Sequence, residues 1–137
     1  MWNPFKKRNR DSIDFKLLEE YSDKTKYLVR IQPWDWLDEK QIYIPKKDKE
    51  GKISMNTLDF WLQEIFLDST GDKSVNEIFE AMKKQYLDSK IPIPKELDKI
   101  LIDTIKTLAI DLKYIELHDK PVSLKEEILL PISKQMK

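Results

Sequence analysis

The chain has 137 residues, enough for one domain with a single modest core, and its 25 Lys and Arg balance its 25 Asp and Glu. That balance excludes a net field drawing in nucleic acid or an anionic membrane, and the lack of cysteine excludes disulfides and thiolate metal sites. No apolar run reaches the roughly 18 residues of a membrane span, and MWNPFKKRNR lacks a secretory apolar core. Together these features point to a cytoplasmic protein.

Residues 1 to about 11 read as a basic tail, with Lys6, Lys7, Arg8 and Arg10 following Trp2 and Phe5. The tail is either a solvated terminus or a weak anchor for an acidic surface. Residues 12–137 read as one domain. Asp14 to Tyr21 fits a short helix or a strand, because Leu17-Leu18 breaks alternation. Tyr27 to Gln32 is rich in strand formers and is stopped by Pro33. Gln41 to Ile44 predicts a second strand ended by Pro45, Gly51 a turn, and Ile53 to Met55 the return strand.

The first long helix is predicted over about Thr57 to Asp68. Leu58, Trp61, Leu62 and Ile65 share one face, with Phe60 and Leu67 on the opposite one. Thr70-Gly71-Asp72 then turns the chain, and Ser74 with Glu77 forms a capping box opening a helix striped by Val75, Ile78, Phe79, Met82 and Tyr86. Pro94 suits the first position of a third helix running to about Lys113, with Leu97, Ile100, Leu101, Ile105, Leu108 and Leu112 inward. Tyr114 to Leu117 and Val122 to Leu124 flank a candidate hairpin wing, and Ile128 to Leu130 would pack back as a short helix or strap. The fold class is α+β: a small winged-helix-like domain, with a two- or three-stranded antiparallel N-terminal sheet packed on three helices.

Nothing here assembles a catalytic set, so the chain reads as a non-enzyme without cofactor or metal. His118 is the only histidine and falls in a predicted turn, which excludes a histidine-based triad or a multi-histidine metal site. Asp35, Asp38 and Glu39 lack the alternation and glycine of a calcium loop. Two glycines cannot make a phosphate-cradling loop.

Two binding signals stand out. Trp34 and Trp36 flank Asp35, so one indole can enter the core while the other faces a protein partner; alternatively, both cover the core edge. On the third helix Lys95, Lys99, Lys106 and Lys113 fall on one line with Ile102 and Ile110 beside it, away from the inward row. Such a stripe suits an acidic, partly apolar peptide, or else it is a solvated face whose isoleucines the C-terminal segment covers. Nucleic acid is disfavoured, because Glu96, Asp98, Asp103 and Asp111 share that helix.

The segments SMNTLDFWLQEIF, STGDKSVNEIFEAM and LDKILIDTIKTLAIDLKYIEL resemble the protein D family of pyrroloquinoline quinone biosynthesis, the leader-peptide recognition element of modified-peptide pathways. The resemblance covers about Asp38 to Leu117. It implies an adaptor that holds a precursor peptide as an added strand and presents it to a modifying enzyme. The peptide would lie between Ile53, Ser54 and Met55 and the face carrying Lys95, Lys99, Ile102 and Lys106. A DNA-binding winged helix using Lys120, and an immunity-type partner protein using Trp34 and Trp36, are the alternatives from other classes.

Overall fold

Strand signals separated by proline and glycine build two small antiparallel sheets in the computed structural model, which describes residues 14–135. The basic tail lies outside the described residues. In chain order the elements are α1 (Lys16–Glu20), β1 (Tyr27–Arg30), β2 (Asp35–Trp36), β3 (Ile42–Lys47), β4 (Ile53–Thr57), α2 (Phe60–Asp68), β5 (Thr70–Ser74), α3 (Val75–Asp88), α4 (Leu97–Lys106), β6 (Ile115–His118) and α5 (Glu126–Leu129). One sheet has the order β5-β1-β6 and the other β2-β3-β4. The class is α+β.

The first predicted strand does not join the N-terminal sheet. β1 sits between β5 and β6, with Leu28 opposite Leu117 and Arg30 opposite Ile115. Leu28, Val29 and Arg30 are all buried, as a strand covered on both faces requires. Its place beside β3 is taken by Asp35–Trp36, a pair too short to carry a strand pattern. Pro45 does not end β3, which continues to Lys47.

Thr70-Gly71-Asp72 is likewise a strand rather than a turn. Gly71 lies at φ +87°, and a Cβ there would come within 2.0 Å of the Val122 carbonyl oxygen. The Val122 N–H donates to the Gly71 carbonyl at 2.8 Å, so the chain leaving β6 crosses to β5. Val122 to Leu124 therefore forms no return strand, and the hairpin wing is absent.

The capping box forms as expected: Ser74 Oγ accepts from the Glu77 N–H, and Glu77 Oε1 from the Ser74 N–H. Val75, Ile78, Phe79 and Met82 are buried along α3, in one core with Leu97, Leu101 and Ile105 of α4, Leu108 just beyond it, and Ile65 and Phe66 of α2. Each such side chain contributes about 1.5–3 kcal/mol when fully buried. Pro94 stands one turn before α4, its carbonyl accepting from the Leu97 N–H at 3.2 Å. A wider π-type turn, Thr107–Asp111, prolongs α4, and Lys113 at φ +58° ends it.

Candidate functional site

The β3–β4 hairpin is fixed at its tip by Asp48, whose Oδ1 accepts from the Glu50 and Lys52 N–H groups, while Gly51 takes φ +85°. The register sets Ile44 opposite Asn56, Pro45 opposite Met55, Lys46 opposite Ser54 and Lys47 opposite Ile53. On the other side of β3, the Gln41 carbonyl accepts from Leu37, so odd-numbered residues of this stretch direct their backbone toward β2. Pro45, with no N–H to give, occupies such a position. Ile44 and Lys46 thus face β4 and engage Asn56 and Ser54, which leaves the N–H and C=O groups of Ile53, Met55 and Thr57 directed outward.

No backbone partner reaches that outer edge among the described residues. The side chains of Ile53 and Met55 are 66% and 60% exposed. Ser54 and Asn56 share the face of buried Ile42 and Ile44, so an added strand would send alternate residues toward the body of the domain. An uncovered edge with apolar side chains invites strand pairing.

Beyond β4 the chain enters α2 through buried Leu58 and the cap Asp59, whose Oδ1 accepts from the Leu62 N–H at 3.1 Å. Phe60 is 62% exposed and meets Trp61 edge-on at 4.9 Å; Trp61 in turn lies 6.4 Å from Tyr86. Between the start of α2 and α4 runs a cleft of about 380 Å³, walled by Asp59, Phe60, Trp61 and Leu62 on one side and Ile100, Asp103, Thr104 and Thr107 on the other. A smaller hollow of about 180 Å³ flanks the same aromatic pair, with Tyr86 and Ile91 in its wall.

This geometry revises the expected groove. Ile53 and Met55 stand at the edge as proposed, while Ser54 spends its backbone on β3. Lys99 and Lys106 are exposed on α4 and Lys95 is exposed just before it, yet none of them lines the cleft. Ile102 is buried, which contradicts its assignment to an open stripe. The cause is α1, which packs on α4 with the Leu18 N–H donating to buried Asp98 at 3.3 Å; Ile102 lies one turn beyond Asp98 on that side. Ile110 remains 65% exposed and is not covered by the C-terminal segment. Lys99 pairs with Asp103 at 2.6 Å, and this bond raises its ammonium above the usual lysine range.

The two tryptophans divide their roles. Trp34 is buried and donates through Nε1 to the Ile128 carbonyl at 2.9 Å, whereas Trp36 is 42% exposed. Asp35 is buried between them and accepts from the N–H and Oγ of Ser133, so its carboxylate holds the C-terminal segment rather than a cation. His118 lies at the end of β6, its Nε2 3.0 Å from Glu116. Among the described residues no group of three or more His, Cys, Asp or Glu is placed to hold a metal, and no helix is long and apolar enough to cross a membrane.

Phe60, Ile100, Asp103, Thr104 and Thr107 escaped the sequence reading of the site. Phe60 carried a signal, since it falls on the helix face opposite the inward row. Ile100 did not, because it continues the inward row of α4. No protein-family model, curated protein or solved structure matches this chain.

Proposed function

We propose that this protein is a binding adaptor that takes an extended segment of a peptide or protein partner as a fourth strand on β4. The observation that carries the proposal is the outer edge of β4, where the outward backbone groups of Ile53, Met55 and Thr57 meet no backbone partner among the described residues, two residues before a cleft that opens at Asp59. Backbone hydrogen bonds along the edge would supply affinity, and the cleft would select side chains. The resemblance to leader-peptide recognition elements supports the same use, with a precursor peptide and its modifying enzyme as the partners.

Met55→Pro tests this. The substitution removes an outward N–H and leaves the β3 ladder intact, a place where an edge strand tolerates proline. It is expected to abolish binding of an extended peptide while circular dichroism and thermal midpoint stay near the parent values. Retained affinity would rule out strand addition.

A second reading rests on Trp36, which is 42% exposed beside Leu37 at 47%. Tryptophan dominates the energetics of many protein interfaces, so this corner fits a contact with a folded partner. If Trp36→Ala weakens capture of the partner while Met55→Pro does not, the second reading replaces the first.

A further inference from the structure

The lysine row of α4 suggests an acidic ligand, but the cleft itself is of the opposite sign. Its polar charged groups are Asp59 and Asp103, and no Lys, Arg or His lines it. Each carboxylate is half engaged: Asp59 Oδ1 caps the Leu62 N–H, and Asp103 Oδ2 takes Lys99. Asp59 Oδ2 and Asp103 Oδ1 have no hydrogen-bond partner among the described residues. The same cleft is lined by the apolar surfaces of Phe60, Trp61 and Ile100.

We infer that the partner segment carries a large apolar or aromatic residue for this cleft, flanked by Lys or Arg that meets Asp59 and Asp103. The inference rests on the strand-addition reading and specifies its ligand. A strand on β4 sends alternate residues to the side of Ser54 and Asn56, the side turned to the core. In this arrangement one of these residues would enter the cleft, which begins at Asp59, two residues after β4. A cation beside it gains two carboxylates, and an aromatic face at Trp61 adds to the attraction of a basic group. Lys99 acts as a built-in competitor, because its ammonium already occupies one oxygen of Asp103.

The chain's formal net charge is 0, so a preference between peptides of opposite sign reads the local field rather than the whole protein's. The test uses two short synthetic peptides of alternating Leu and Thr around a central Phe, one with Lys beside the Phe and one with Glu. Affinities are measured by titration calorimetry against the parent chain, Asp103→Asn, Lys99→Ala and Met55→Pro. The Lys peptide is expected to bind about tenfold more tightly than the Glu peptide. Asp103→Asn should narrow that ratio, and Lys99→Ala should widen it. Equal affinities, both lost in Met55→Pro, would overturn the charge assignment and leave strand addition standing. Tighter binding of the Glu peptide would overturn it in favour of the lysine row. Binding of neither peptide would overturn the strand-addition reading and this inference together.

Discussion

The Arg30 Nε–H donates to the carbonyl of Ile128 at 3.2 Å, tying the central strand of one sheet to the C-terminal strap 98 residues away. The same guanidinium donates to the carbonyls of Leu67 at 2.6 Å and Leu129 at 3.0 Å, and lies over the rings of Trp34 and Phe66. Burial pushes its pKa down to about 10, partly offset by the negative charge of Asp68. Arg30 thus joins the end of α2 to a strap whose helix α5 buries no side chain of its own. Carbonyls, rather than a carboxylate, satisfy this charge.

Arg30→Met is accordingly expected to cost about 3 kcal/mol, from the lost charge-assisted bonds and the carbonyls left without donors. Urea unfolding measures it. In a chain ending at Leu124 the same substitution should cost about half as much, since the Ile128 and Leu129 carbonyls are gone. Equal costs in the two chains would mean that the strap is not what Arg30 holds.

Gly71→Ala should destabilise by about 2–3 kcal/mol, because the new methyl meets the Val122 carbonyl and the backbone must stay at positive φ. Gly51→Ala also occupies positive φ, but its Cβ would meet only the end of Lys47 at 3.7 Å. Thermal unfolding of both variants should rank Gly71→Ala clearly below Gly51→Ala.

Ser74→Ala removes the oxygen that accepts from the Glu77 N–H at 3.2 Å and should cost about 1 kcal/mol. Ser74→Asp should recover most of that loss, since an aspartate caps equally well and favours the helix N-terminus. Chemical denaturation of the pair separates capping from packing.

Burial raises the carboxyl of Glu64 above its ordinary range, and the charge of Asp68 raises it further. Burial also raises Asp68, while Lys73 and Arg30 pull it back. An acid with a raised folded-state pKa binds more protons folded than unfolded, so stability falls as pH rises through that window. Glu64→Gln should therefore raise the thermal midpoint at pH 7 and leave it unchanged near pH 3, where the parent carboxyl is protonated in both states. A gain of equal size at both pH values would assign the effect to something other than ionisation.

Local signals in the sequence carried most of the helical half of the fold. The Ser74–Glu77 box and the Val75-Ile78-Phe79-Met82 stripe define α3 without help from distant contacts, as capping and periodicity do. Strand partnership was not legible, because nothing local to Tyr27–Arg30 tells whether β3 or β5 and β6 will flank it. The fate of Ile102 was hidden for a related reason. Its helix wheel shows the face turned from one core, while α1, some eighty residues earlier, covers that face, its Leu18 N–H donating to Asp98. Pro45 misled as a strand terminator, yet once the register is known it identifies which positions of β4 face outward.

Amide hydrogen exchange along β4 tests strand addition most directly. In the free chain the amides of Ser54 and Asn56 should exchange slowly, and those of Ile53, Met55 and Thr57 quickly. Adding the Lys-bearing peptide should slow all three of the latter, with little change at Ser54 and Asn56. If the peptide binds and those three amides exchange as fast as before, no strand has been added to this edge.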